Sequence, residues 1–134
     1  MNITGRDEHV PEIERFIRTV KERARAIVNT LPFETLPHRL IVKIVYNVMF
    51  WINCFPHRDG IHVTLSPRTI VTGSNIDHDK HCRQQFGSYV QFHEQHNNSM
   101  ATRTSGAIAL CPTGNAQGRV LSFTQTWRTK HICY

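Results

Sequence analysis

Apolar residues recur at steps of three and four from residue 11 to residue 31, which is the period of an amphipathic helix. The stripe consists of Ile13, Phe16, Ile17, Val20, Ala24, Ile27, Val28 and Leu31. Pro11 suits the first turn of a helix, where its missing N–H leaves no bond unmade, and Pro32 cannot continue one. The pattern therefore predicts one helix over residues 11–31 with a single apolar face.

A second apolar run follows Pro37 and is apolar nearly all round, which predicts a centrally packed helix from about residue 38 to residue 53. Its most apolar part, residues 40–52, contains Lys43 and Asn47 and is shorter than the roughly 20 residues that span a bilayer, so we expect no membrane partner. Ser66-Pro67 and Gly73 have the positions of an N-cap, a first-turn proline and a C-terminal glycine, which predicts a short third helix.

From about residue 86 the apolar period changes to two, which is typical of strands. Residues 86–92, 107–111, 120–123 and 130–134 are predicted strands. Residues 112–115 are predicted to form a turn, 75–79 a loop and 93–105 a polar linker or flexible loop. The predicted fold class is α+β, with two or three N-terminal helices followed by a small antiparallel module that matches an SH3-like barrel in size. We place a helical unit at 1–74 and the linker and β module at 75–134, with strands from about residue 86.

The net charge of +6 and the pI of about 9.6 favour a polyanionic partner such as DNA, although many basic proteins bind no nucleic acid. Four scattered cysteines form no Cys-x-x-Cys pair, and the first residues have no apolar segment typical of a signal peptide. We therefore expect reduced thiols and an intracellular location. Cys54 and Cys111 lie in apolar sequence and are predicted to be buried and inert.

One flank of the first predicted helix combines an acid with three cations. Glu14, Arg18, Lys21 and Arg25 fall together there, and Arg15 is adjacent in sequence. Two interpretations remain open at this point. The charges form ordinary ion pairs on a solvated face, or Glu14 is a metal-ligand acid that works beside nucleic-acid phosphates.

Cations and aromatic residues alternate towards the end of the chain. They are Arg103, Arg119, Trp127, Arg128, Lys130 and Tyr134. On a β module this pattern suits contact with a DNA backbone, with stacking on Trp127. The alternative is packing of Trp127 inside the module, with scattered surface charge around it.

Zinc binding is a weaker possibility. His78, His81 and Cys82 are close in sequence, and His93 and His96 are spaced by three residues. Structural zinc sites usually combine two tightly spaced pairs that include thiolates, and these residues do not follow that spacing. Histidines on a polar surface are the simpler interpretation.

Four segments, in this order, resemble the motifs of the integrase of copia-type retrotransposons, in the form found in diatoms and other algae. They are residues 14–19 (ERFIRT), 66–73 (SPRTIVTG), 81–90 (HCRQQFGSYV) and 105–121 (SGAIALCPTGNAQGRVL). Each is loose alone, whereas their order and spacing make the resemblance specific. Pro112 and Thr113 depart from it, since the family often has Gly-Tyr there.

The resemblance implies an RNase H-like catalytic core in which an Asp-Asp-Glu triad holds two Mg²⁺ ions for DNA integration by polynucleotidyl transfer. Glu14 matches the triad glutamate. The aspartates of this chain are Asp7, Asp59, Asp77 and Asp79, and none lies in a predicted buried strand. We therefore expect a retrotransposon polyprotein fragment that is catalytically incomplete alone and needs no cofactor.

The parent integrase would be nuclear, and DNA would be bound without sequence preference through Arg15, Arg18, Lys21, Arg25, Arg119, Trp127, Arg128 and Lys130. The alternative function is a non-enzymatic module for protein interaction or self-association through exposed helix faces, without DNA binding.

Overall fold

A computed structural model describes residues 11–58, 60–93, 98–100, 102–124 and 129–132. The helices are α1 (Pro11–Thr30), α2 (His38–Cys54), α3 (Pro67–Thr72) and α4 (His78–His81). The strands are β1 (Tyr89–His93), β2 (Thr104–Pro112), β3 (Val120–Thr124) and β4 (Thr129–Ile132). Helices followed by an antiparallel sheet confirm the predicted α+β class.

Local sequence explains the short helices. The Ser66 Oγ accepts a hydrogen bond from the Thr69 N–H at 3.1 Å, and Gly73 ends α3 in the left-handed region with φ 69°. The predicted loop over 75–79 is wrong from His78 onwards, because the Asp77 side chain accepts from the Lys80 N–H and begins α4. An aspartate cap was readable from the sequence, but four residues are too few to show a helical period.

The four strands form an antiparallel meander in the order β1-β2-β3-β4. The predicted polar linker over 93–105 is wrong at both ends, since His93 pairs with Thr104 and so belongs to β1. Pro112, predicted in a turn, instead pairs with Val120 after a register shift that follows Ala109. Proline is tolerated there because a bulge removes the need for its N–H.

The helices and the sheet share a hydrophobic core. Leu40 and Ile44 of α2 cluster with Phe86, Leu110 and Phe123, and the C-terminal half of α1 packs on the same cluster. A second cluster lies within the sheet and comprises Val90, Phe92, Ala107, Ala109 and Val120. Because α2 contacts both α1 and β2, it joins the helical segment to the sheet. The SH3-like comparison and the boundary at residue 74 stay predictions.

Gly87 fits the core closely. It has φ 86°, its N–H donates to the Ala109 carbonyl at 2.8 Å, and a Cβ there would overlap the Leu31 side chain. The chain between α4 and β1 therefore lies against the end of α1, as only glycine permits. No helix in the described residues is long and apolar enough to cross a bilayer.

Candidate nucleic-acid-binding surface

The charged flank of α1 forms a shallow depression of about 270 Å³ on the protein surface. It is lined by Glu14, Ile17, Arg18, Lys21, Glu22 and Arg25. The structure therefore brings together the four residues predicted to share this flank. Arg15 is also exposed but does not line the depression.

Glu22 is a member of this surface that sequence reasoning missed. Its spacing of four residues from Arg18 was the available signal, since side chains four apart meet on a helix. Its three cations and two carboxylates give the depression a formal charge of +1. The surface is thus mixed in charge, and its attraction for a polyanion is weaker than the predicted set alone implied.

The apolar face beside this depression is only half covered. Ala24, Ile27, Val28 and Leu31 pack against the core, whereas Ile13 is 57%, Phe16 44% and Ile17 45% exposed. No residue of α1 is fully buried. On α2, Ile41, Val42, Val45 and Tyr46 are exposed as well. Such faces are typical of helices that cover a partner surface.

Glu14 is the one residue predicted to hold a metal ion, and no aspartate among the described residues lines its depression. Asp77 lies at α4, where its carboxylate pairs with the Lys80 ammonium at 3.0 Å, and hydrogen bonding from Lys80 lowers the pKa of Asp77. Asp7 and Asp59 lie outside the described residues. Within the part of the chain that the structure describes, no three His, Cys, Asp or Glu side chains converge to hold a metal ion.

Two of the β-module residues predicted to contact DNA, Arg119 and Lys130, lie within the described residues. Arg119 lies in the β2–β3 connection, where its N–H donates to the Asn115 Oδ1 at 2.9 Å and its side chain is exposed. Lys130 pairs with Ser122 in the ladder between β3 and β4. Trp127 and Arg128 lie outside the described residues. Their predicted contacts with DNA stay predictions.

The histidines considered for zinc have other contacts. His81 is buried, and its ring nitrogens lie 2.8 Å from the Asp77 carbonyl and 3.0 Å from the Asn115 carbonyl. His78 stacks on the Phe55 ring with centroids 5.6 Å apart. Cys82 and His93 are exposed, and His96 lies outside the described part. His81 thus ties α4 to the β2–β3 connection.

A second charged feature escaped sequence reasoning altogether. Lys43 of α2 and Arg68 of α3 line one cleft of about 460 Å³ that also borders the β2–β3 hairpin. Lys43 interrupts an apolar run, and Arg68 lies 25 positions further along a different helix. Only the packing of α2 against α3 and the sheet brings the two cations to one cleft.

Two buried thiols lie near these cations. Burial raises the pKa of the Cys54 thiol, and the positive charge of Arg68 opposes that shift. Burial likewise raises the pKa of Cys111, with Lys43 opposing it. Both cysteines are free and buried, as predicted.

The comparisons with known proteins give no relative: no family model, no curated protein and no solved structure matches this chain.

Proposed function

We propose that this chain is the C-terminal part of a copia-type integrase that binds DNA without sequence preference and is catalytically incomplete by itself. The observation that supports it best is the exposed position of Glu14 beside Arg18, Lys21 and Arg25. A triad glutamate must reach solvent and phosphates, and a glutamate buried in a self-sufficient core would have ended this interpretation. Further support comes from the four segments that follow one another in the same order as the motifs of copia-type integrases. In this proposal the sheet is the SH3-like module.

The residues present do not fit a pair of Mg²⁺ ions. Magnesium prefers several oxygen ligands in octahedral geometry, and Glu14 supplies one carboxylate that matches the family triad. Glu22 lines the same depression among three cations, which weakens its value as a further ligand. We therefore assign no catalytic step to this chain, and its proposed activity is binding.

Binding to DNA is tested by fluorescence anisotropy with a labelled duplex at salt concentrations from about 50 to 200 mM. If the protein contacts phosphates, the logarithm of the association constant should fall linearly with the logarithm of the salt concentration. The slope should steepen by about 0.9 for each phosphate that is neutralised. Arg18→Gln should weaken binding and reduce that slope by about 0.9 if Arg18 contacts one phosphate. Arg23→Gln is the matched control, because Arg23 is exposed on the same helix but does not line the depression.

Two results would count against the proposal. Affinity that does not change with salt would remove phosphate contact as its basis. Equal slopes for Arg18→Gln, Arg23→Gln and the unchanged protein would remove the α1 flank from the binding surface.

A protein-interaction or self-associating module is the second candidate, and the uncovered apolar faces of α1 and α2 favour it. Light scattering over a range of concentrations measures it directly. Self-association predicts a mass that rises with concentration and falls again in Phe16→Ser, since Phe16 is 44% exposed. A folded monomer at every concentration would contradict self-association.

A further inference from the structure

The cleft that holds Lys43 and Arg68 differs in kind from the α1 depression. Its lining includes Lys43, Tyr46, Phe50, Asn53 and Arg68. Two cations, an amide and two aromatic rings face the same space, and none of these lining residues is acidic. The described residues thus give this cleft two positive charges and no counter-charge along its wall.

Two contacts hold the Arg68 guanidinium in place, although its Nε–H lacks a hydrogen-bond acceptor among the described residues. Its Nη2 donates to the Gly114 carbonyl at 2.7 Å, and its guanidinium lies 5.2 Å from the centre of the Phe50 ring. Its Nε is buried, and the described residues provide no acceptor for it. A buried donor without an acceptor is costly, and the contacts with the Gly114 carbonyl and the Phe50 ring offset that cost by holding the guanidinium in place.

Gly114 explains why Arg68 is held in this position. It has φ 72°, and a Cβ there would overlap both the Arg68 guanidinium and the Phe50 ring. The backbone of the β2–β3 connection can therefore approach the guanidinium closely. Arg68 is fixed before any ligand arrives, which reduces the conformational entropy lost on binding.

Lys43 and Tyr46 of α2 also line the cleft. The Lys43 Nζ lies 5.7 Å from the centre of the Tyr46 ring, and Tyr46 is 61% exposed. An exposed aromatic ring beside cations is the arrangement on which unpaired bases stack, because every base has a π face. Duplex DNA keeps its bases stacked internally and offers no free face to this ring.

We propose that this cleft binds a phosphate group of an unpaired nucleic-acid strand between Lys43 and Arg68, with a neighbouring base stacked on Tyr46. The nucleic-acid source of the phosphate rests on the proposed function. Phosphate binding by the cleft does not depend on that function, because it can be measured with any phosphate compound. The cleft adds a single-strand subsite made by α2, α3 and the sheet to the duplex surface proposed on α1.

The first measurement is a titration with inorganic pyrophosphate in which NMR detects shifts of the backbone amides. Binding in the cleft should shift amides near Lys43, Asn53 and Arg68, and Lys43→Gln should weaken pyrophosphate binding about tenfold, as expected for loss of a charged contact. Arg39→Gln is the control, since Arg39 is an exposed cation on the same helix outside the cleft. Lys43→Gln is preferred to changes at Arg68, which also supports the Gly114 turn.

The second measurement uses oligothymidylate of about ten nucleotides and fluorescence anisotropy. Lys43→Gln should weaken binding about tenfold, and Tyr46→Ala should weaken it about fivefold or more through lost stacking. Tyr46→Phe should change nothing, because it keeps the ring. Neither Tyr46 variant should alter pyrophosphate binding by much.

The outcomes separate this inference from the proposed function. Equal oligothymidylate affinity for Lys43→Gln, Arg39→Gln and the unchanged protein would overturn the cleft and leave duplex binding by α1 intact. Pyrophosphate binding without oligothymidylate binding would make the cleft a site for free phosphate and overturn its nucleic-acid assignment. If neither pyrophosphate nor oligothymidylate binds, the inference is overturned, whatever the duplex measurements show.

Discussion

Replacing Ile44 by alanine tests whether the helices and the sheet stabilise each other through one core. Ile44 is 1% exposed and clusters with Leu40, Phe86 and Leu110, so the substitution removes three carbon atoms from the contact between α2 and the sheet. Lost burial costs about 0.8 kcal/mol per carbon, which gives about 2.4 kcal/mol. The cavity left behind adds to this, and we expect a total loss of about 3 kcal/mol in the free energy of unfolding.

Urea denaturation followed by both far-UV circular dichroism and tryptophan fluorescence measures this loss. The chain provides a matched control in Ile61→Ala, because Ile61 is 98% exposed and should lose no more than about 0.5 kcal/mol. Both probes should report one transition that moves together to lower urea in Ile44→Ala.

Either of two results would refute this reasoning. A loss below about 1 kcal/mol for Ile44→Ala would mean that the side chain is not packed as the cluster requires. Separate transitions for the two probes would mean that the helices and the sheet unfold independently.

Two further predictions concern the contact of Gly87 with Leu31 and the reactivity of two thiols. Gly87→Ala should destabilise the protein more than Gly73→Ala in urea denaturation, because both glycines have positive φ but only Gly87 meets the Leu31 side chain. Equal losses would show that backbone strain alone decides the effect. In the native protein, iodoacetamide should alkylate Cys82 well before Cys54, as mass spectrometry of peptides can show, because Cys82 is exposed whereas burial raises the pKa of Cys54 and disfavours its reactive thiolate. Faster reaction at Cys54 would contradict its burial.

Local patterns in the sequence determined α1, α2 and α3 well but missed the four-residue α4. The three- and four-residue period placed α1, and Ser66-Pro67 with Gly73 placed α3 to within a residue, because caps and periods depend on neighbours in the chain. The charges on α1 were brought together for the same reason, since a helix fixes which side chains share a face.

The strand limits followed from the sequence less well. Thr104 belongs to β2 because His93 is there to pair with it, and Pro112 continues the strand because a bulge opposite Val120 accommodates it. Strand pairing depends on residues far apart in the chain, and a polar segment can still extend a ladder through its backbone.

The chain alone determined a run of helices, a small sheet and a charged flank on α1, since each depends on residues within a few positions of one another. The tertiary structure alone decided that the exposed part of the α1 apolar face is its first half and that Lys43 and Arg68 share a cleft. Those properties depend on which surfaces α2, α3 and the β2–β3 hairpin bury against each other, and no local period encodes that packing.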